Sequence, residues 1–280
     1  MKIIVTGSNG QLGTDVASEL LAHGHKVIGA DLPETDITDK AQIEKIIVQS
    51  NADAVIHCAA FTNVDLAETE KEMCEKINVN GTSNIAEICQ KHSIKLLYIS
   101  TDYVFSGEGE NPFETDAPTA PCNFYGKSKL GGETAVIENC ENFFIVRISW
   151  VFGENGKNFV KTMLRLSAER DSLTVVCDQI GSPTYTKDLS KLLCDMIETE
   201  RYGIYHATNE GFCSWAEFAS KIMELSGAET KIVPIPSSEY KTAATRPANS
   251  RLSKKSLDEN GFYRLPHWED ALKRYLLNEC

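Results

Sequence analysis

Tyr125 and Lys129 stand four residues apart, the pair in this sequence best suited to proton chemistry. In a helix that spacing puts both side chains on one face, one turn from each other. A phenol with the ordinary pKa near 10 is a poor acid at neutral pH, and a fixed ammonium beside it stabilises the phenolate and makes the phenol a usable donor. A tyrosine ahead of a lysine at this spacing is also a common surface pair, so its meaning depends on its surroundings. Ser100-Thr101-Asp102 closes an apolar run, and a hydroxyl placed there can hydrogen-bond a carbonyl under reduction and help hold the developing oxyanion.

Nearer the start, Gly7-Ser8-Asn9-Gly10-Gln11-Leu12-Gly13 sets three glycines at intervals of three directly after the first β-branched run. In a strand-turn-helix unit Gly7 permits the tight turn, Gly10 lets the backbone approach a pyrophosphate, and Gly13 lets helix pack on strand. The helix N-terminus then offers free N–H groups and a partial positive charge to phosphate. Asp31 follows the second run, where a carboxylate meets an adenosine ribose. There it favours a free pair of ribose hydroxyls and repels a 2′-phosphate, although an aspartate at a strand end is also an ordinary turn residue. Asp36-Ile37 lies in the next loop, and Ala59-Ala60-Phe61-Thr62 leaves the third run on the same carboxyl edge, where the ligand crevice of an open α/β sheet forms.

The elements that must position these residues alternate. Nearly continuous apolar runs at 2–6, 26–30, 54–58, 96–100 and 144–149 read as strands covered on both faces. The stretches at 12–23, 40–50, 70–92 and 125–140 read as helices between them. That alternation predicts an α/β fold built on a doubly wound parallel sheet. Beyond Trp150 the pattern loosens, with helices at 159–169, 187–198, 214–225 and 267–277, strands at 173–177 and 203–207, and a Pro-, Ser- and Thr-rich stretch before the last helix. A smaller second lobe is therefore placed after residue 150.

The composition, 42% hydrophobic and 24% charged over 280 residues, is that of a globular chain. A formal net charge of −12 opposes general binding to nucleic acid or anionic membrane. No stretch approaches the ~18 consecutive apolar residues that cross a bilayer, and the opening run reads as a first strand rather than a signal peptide. Nine scattered cysteines without a C-x-x-C pair fit reduced thiols in the cytoplasm, with no disulfide framework and no metal site expected.

Glycine loop, Ser/Thr at a strand end and Tyr-x-x-x-Lys, in this order, resemble the extended branch of the short-chain dehydrogenase/reductase family over the whole chain. The resemblance implies a Rossmann-type sheet in 1–150 that binds NADH or NADPH, and a smaller C-terminal α/β lobe in 151–280 that binds substrate. Dehydratases of that branch follow Thr-Asp with Glu; here Tyr103 stands instead, which removes an acid that loss of water requires. The strings Ser100-Thr101-Asp102-Tyr103-Val104-Phe105, Ser149-Trp150-Val151-Phe152-Gly153, Asp178-Gln179-Ile180-Gly181-Ser182-Pro183-Thr184 and Arg246-Pro247-Ala248-Asn249-Ser250 are similar to the dTDP-4-dehydrorhamnose reductase group.

That similarity implies reduction of the 4-keto group of dTDP-4-dehydro-L-rhamnose to dTDP-L-rhamnose, with Tyr125 protonating O4 and Lys129 binding the nicotinamide ribose. It implies Thr101, Asp102 and Trp150 against the sugar and Arg246 at the substrate diphosphate. It also implies Gly10, Gln11 and Leu12 at the cofactor pyrophosphate, with Asp31, Asp36, Ile37, Ala60, Phe61 and Thr62 around the rest of the cofactor. Trp150 reads equally as a core residue. Some members of the group form metal-bridged dimers through acidic side chains; Lys187 stands where an acid would be expected, so no metal is predicted, while a homodimer stays open. A non-catalytic nucleotide-binding subunit, an epimerase and another nucleotide-sugar reductase remain the alternatives.

Overall fold

The computed structural model describes residues 1–279. Five strands, β1 (Lys2–Thr6), β2 (Lys26–Ala30), β3 (Ala54–His57), β4 (Lys95–Thr101) and β5 (Phe143–Ile148), alternate with helices α1 (Gln11–Ala22), α2 (Lys40–Ser50), α3 (Lys71–Glu75), α4 (Thr82–Lys91) and α5 (Phe124–Asn139). Further on come α6 (Phe159–Ser167), β6 (Ser172–Val176), α7 (Thr186–Ile197), β7 (Gly203–His206), α8 (Trp215–Ser226), β8 (Lys231–Ile235), α9 (Lys255–Glu259) and α10 (Trp268–Glu279).

The principal sheet is parallel and six-stranded, in the order β2-β1-β3-β4-β5-β7. From β1 the chain winds outward to β2 and then crosses to β3 on the other side, so the winding reverses between β1 and β3. A crevice at the carboxyl ends of the strands follows from that reversal. Side chains alternate across the sheet as the strand period demands. Ile3, Val5, Ile56, Leu97 and Phe144 pack under α1 and α7, while Ile4, Val55, Leu96 and Ile145 pack under α2, α4 and α5. The doubly wound Rossmann-type α/β architecture expected from the alternation is the one observed.

Local chemistry sets the helix starts. Asp39 accepts from the amides of Ala41 and Gln42, Asn123 from Gly126 and Asn158 from Lys161. Ser214 and Glu217 form a reciprocal capping box.

Two features depart from the sequence reading. The helix expected over 70–92 is broken by a wider π-helical turn at Lys76–Gly81, which turns the buried Asn78 side chain inward. The stretch after α8 contains β8, paired in parallel with β6 from Lys231 against Ser172 to Ile235 against Val176; such a pairing between distant segments leaves no local signal. The later part of the chain also contributes to the principal sheet, through β7 against β5 and α7 against α1. A second core forms around Phe152, Tyr185, Phe218, Trp268 and Tyr275.

Candidate active site

A cleft of about 1130 Å³ runs along the carboxyl edge of the sheet from the glycine loop to α5 and the Trp150 region. Gly7 has φ +64°, and a Cβ on it would lie 2.8 Å from the Ala59 amide nitrogen. A Cβ on Gly13 would lie 2.1 Å from the Gly7 carbonyl, so helix and loop are in contact only because residue 13 is glycine. Gly10 is the N-cap of α1, and no side chain caps that helix end. Its first amides therefore face the cleft with the positive end of the helix dipole behind them, which suits a pyrophosphate. The bare cradle, the uncapped amides and the length of the cleft fit a dinucleotide.

At the β2 end, Asp31 lines the cleft and accepts from the amides of Asn9 (3.0 Å) and Leu32 (2.9 Å). Asp36 lines it as well, and bonds from the Thr38 amide and hydroxyl hold its carboxyl below the usual range. Ile37, Ala60 and Thr62 complete this wall together with Gln11 and Leu12. Phe61 does not line the cleft; its amide donates to Asn78 Oδ1 at 2.7 Å and its carbonyl accepts from Asn78 Nδ2 at 3.1 Å. Asn78 also donates to Ser128 on α5 at 2.9 Å, so it ties the loop after β3 to the helix carrying Tyr125 and Lys129. Sequence reasoning passed over Asn78 because an asparagine inside a helical stretch carries no mark of being turned inward.

Where β4 ends, Thr101, Asp102, Tyr125 and Lys129 come together at the cleft floor. The Thr101 hydroxyl donates to Asp102 Oδ1 at 3.0 Å and lies beside the Tyr125 phenol. Asp102 is 3% exposed, and burial raises its carboxyl to about 7 against hydrogen bonds with Ser250 and Thr101. Tyr103 meets Tyr125 edge-on with centroids 5.6 Å apart.

The ammonium of Lys129 is placed differently from the expectation that it lowers the phenol pKa. It donates to the Ile99 carbonyl at 2.8 Å and lies 4.0 Å over the Tyr98 ring. Tyr125 is instead pushed up, first by burial and then by Asp102, with Thr101 opposing. Burial likewise brings Lys129 down to about 7, opposed by Glu133. The phenol thus keeps its proton at neutral pH, while burial leaves Lys129 only partly charged there.

Behind the floor lies a charged network closed to solvent. Arg147 on β5 binds both oxygens of Glu133 on α5, at 2.9 and 2.7 Å, and Ser100 donates to Glu133 at 2.5 Å. Arg147 also donates to the Thr115 carbonyl at 3.0 Å.

Trp150 has φ +49° and stacks on Trp215 with centroids 3.7 Å apart, and both rings line the cleft. Its two readings, core residue and site wall, therefore coexist. Trp215, Phe159 and Phe218 also line this end, and sequence reasoning missed them because apolar residues on amphipathic helices look like core. Arg246 stands outside the cleft lining and makes a two-pronged ion pair with Asp65 at 2.7 and 3.1 Å. Lys187 pairs with Glu154.

A glycine cradle at the switch point of a parallel sheet, facing a threonine at the end of β4 and a tyrosine and lysine on α5, defines a Rossmann-type protein of the short-chain dehydrogenase/reductase kind. More narrowly, the chain belongs to the RmlD substrate binding domain family, whose model matches residues 1–279. It is 42% identical over 275 residues to the spore coat polysaccharide biosynthesis protein SpsK of Bacillus subtilis (strain 168), covering 98% of this chain and 96% of that protein. A solved dTDP-4-dehydrorhamnose reductase from Bacillus anthracis str. Ames, in complex with NADP, is 42% identical with a TM-score of 0.97, covering 99% of each chain. A solved dTDP-4-dehydrorhamnose reductase from Clostridium acetobutylicum ATCC 824 is 37% identical with a TM-score of 0.97, covering 100% of each chain. A UDP-glucose 4-epimerase from Thermus thermophilus, 20% identical with a TM-score of 0.84 and covering 99% of this chain and 98% of that one, shares the fold alone.

Proposed function

We propose that this chain is an NAD(P)H-dependent oxidoreductase that reduces the 4-keto group of dTDP-4-dehydro-L-rhamnose to dTDP-L-rhamnose. The observation that carries the reading is the meeting of Thr101, Tyr125 and Lys129 at one floor of the cleft that begins at the uncapped glycine loop. The names of the relatives and the NADP held by one of them support it.

Gly7, Gly10, Gln11, Leu12 and Gly13 hold the cofactor pyrophosphate, with Asp31, Asp36, Ile37, Ala60 and Thr62 along its adenosine and nicotinamide halves. When bound, the reduced nicotinamide supplies a hydride for the carbonyl carbon. Tyr125 donates its proton to O4, and Thr101 positions the carbonyl oxygen beside the phenol. Lys129 binds the nicotinamide ribose and stabilises the phenolate until solvent returns a proton. Asp102 and Trp150 contact the sugar, and residues 151–280 supply most of the substrate wall. Because Asp31 already accepts two backbone amides, its charge is partly satisfied and the ribose end tolerates either cofactor. A homodimer is the proposed assembly, and sedimentation of the full chain as a monomer would overturn it. Among the described residues no helix is long and apolar enough to cross a membrane.

The test is product analysis after incubation with dTDP-4-dehydrorhamnose and NADH or NADPH. Formation of dTDP-L-rhamnose in step with cofactor oxidation is expected. Cofactor binding without consumption would mark a non-catalytic binding subunit, and interconversion of sugars with no net consumption would mark an epimerase; either result overturns the proposal.

A further inference from the structure

At the end of α1 opposite the glycine loop, His23, Cys194 and Glu198 bring an imidazole nitrogen, a thiol sulfur and a carboxylate oxygen within 4.8 Å of one another. Cys194 lies on α7 and Glu198, four residues later, is the residue that caps its C-terminal end in a still helical conformation, so the two point to one side. His23 is the residue that closes α1, and α1 packs on α7. Two further contacts organise the group. His25 Nε2 lies 2.7 Å from Glu198 Oε1, the type of second contact that orients a ligating carboxylate. Glu19 approaches His23 Nε2 at 3.2 Å, so a carboxylate also stands beside the imidazole.

We infer that this cluster is a binding site for a divalent transition-metal ion, Zn²⁺ in particular, held by His23, Cys194 and Glu198 with water in the fourth position. One nitrogen, one sulfur and one oxygen donor match zinc, which takes these ligands tetrahedrally. The hard, oxygen-seeking Mg²⁺ and Ca²⁺ have no use for a thiol. Around a shared zinc at ordinary bond lengths, ligand atoms sit roughly 3.3–3.6 Å apart. The exposed side chains of His23 and Glu198 close the remaining distance by rotation, while Cys194 is fixed in the core. The ion clamps the end of a helix from the first half of the chain to one from the second. A helix of 12 residues separates it from the glycine loop, about 18 Å at 1.5 Å per residue, so it takes no part in the reduction. The sequence reading expected no metal because the cysteines form no C-x-x-C pair and Lys187 stands where an acid would be expected; these ligands, 171 positions apart from 23 to 194, leave no local pattern.

The experiment is Co²⁺ titration of the full chain followed by absorption spectroscopy, with Zn²⁺ displacing the cobalt. One equivalent of Co²⁺ should give a thiolate-to-metal charge-transfer band in the near ultraviolet and the intense visible bands of a tetrahedral ion. Cys194→Ser should abolish the charge-transfer band, whereas Cys177→Ser, at an exposed thiol, should leave it unchanged. Because Cys194 is buried, the exposed His23→Ala guards against a folding artefact: it should weaken cobalt binding at least about tenfold and abolish the rise in melting temperature that Zn²⁺ gives the parent protein. Absence of the band in the parent protein, its persistence in Cys194→Ser, or undiminished affinity in His23→Ala overturns the inference.

Discussion

In the proposed reduction the chemistry turns on Tyr125, whose surroundings keep the phenol protonated. Burial and the neighbouring Asp102 keep the phenol protonated, so the pH at which it works is set by its partners. Tyr125→Phe removes only the proton donor. Steady-state turnover should fall by at least the ~10²–10⁴-fold that positioned acid catalysis contributes, with cofactor affinity by fluorescence titration nearly unchanged; parent-like turnover would remove the assignment. Asp102 gives a separate, signed prediction. Its carboxyl rises from 3.8 to about 7 on folding, so between those values the folded chain keeps a proton that the unfolded chain releases. That contribution to stability is fully present below 3.8 and is lost as pH rises through about 7, at no more than about 1.4 kcal/mol per pH unit for one proton. Urea unfolding across this range should show a smaller loss for Asp102→Asn than for the parent; equal slopes would mean that burial does not hold the proton.

The element that matters most is the turn from β1 into α1. Gly7 and Gly13 are in mutual contact, and the side-chain-free start of the helix points its amides into the cleft. Gly13→Ala forces a methyl group against the Gly7 carbonyl, where relief requires moving α1 off the sheet. Overpacking of this kind costs about 1–3 kcal/mol, and displacement of the amides should weaken cofactor binding by about tenfold or more. Denaturant melts and cofactor titration of the variant check both. The π-turn at Lys76–Gly81 acts similarly, since it brings Asn78 between the Phe61 backbone and Ser128 and so sets the distance from the β3 loop to α5.

Across the whole molecule, the floor of the cleft rests on the Glu133–Arg147 pair. It joins α5 to β5, reaches Ser100 just before Thr101, and extends to Thr115. The side chains are 2% and 3% exposed, so neither charge has water to fall back on. Glu133→Gln leaves a buried guanidinium without its anion and should cost about 3–5 kcal/mol in urea unfolding, a loss partly recovered when Arg147→Met is added. A loss under about 1 kcal/mol would show that water reaches the pair. The Trp150–Trp215 stack works at the same scale, because it joins the strand-end loop of the sheet to α8 and closes the far end of the cleft.

The sequence by itself determined the parts whose signal is local. Strand-forming runs alternate with helical ones, three glycines follow β1, Thr101 ends β4, and Tyr125 and Lys129 sit one turn apart; each is a matter of neighbours along the chain, and so is the family resemblance they carry. Tertiary structure decided what depends on distant segments meeting. Lys129 turned to the Ile99 carbonyl and the Tyr98 ring because burial left those as its nearest partners. Arg246 found Asp65 across 181 positions. β8 found β6, and Asn78 was turned inward by a helical irregularity that composition does not mark. Residue types and short spacings name the chemistry available, whereas burial and long-range contact set which charges are paired and which protons are held. Those are decided only when the chain closes on itself.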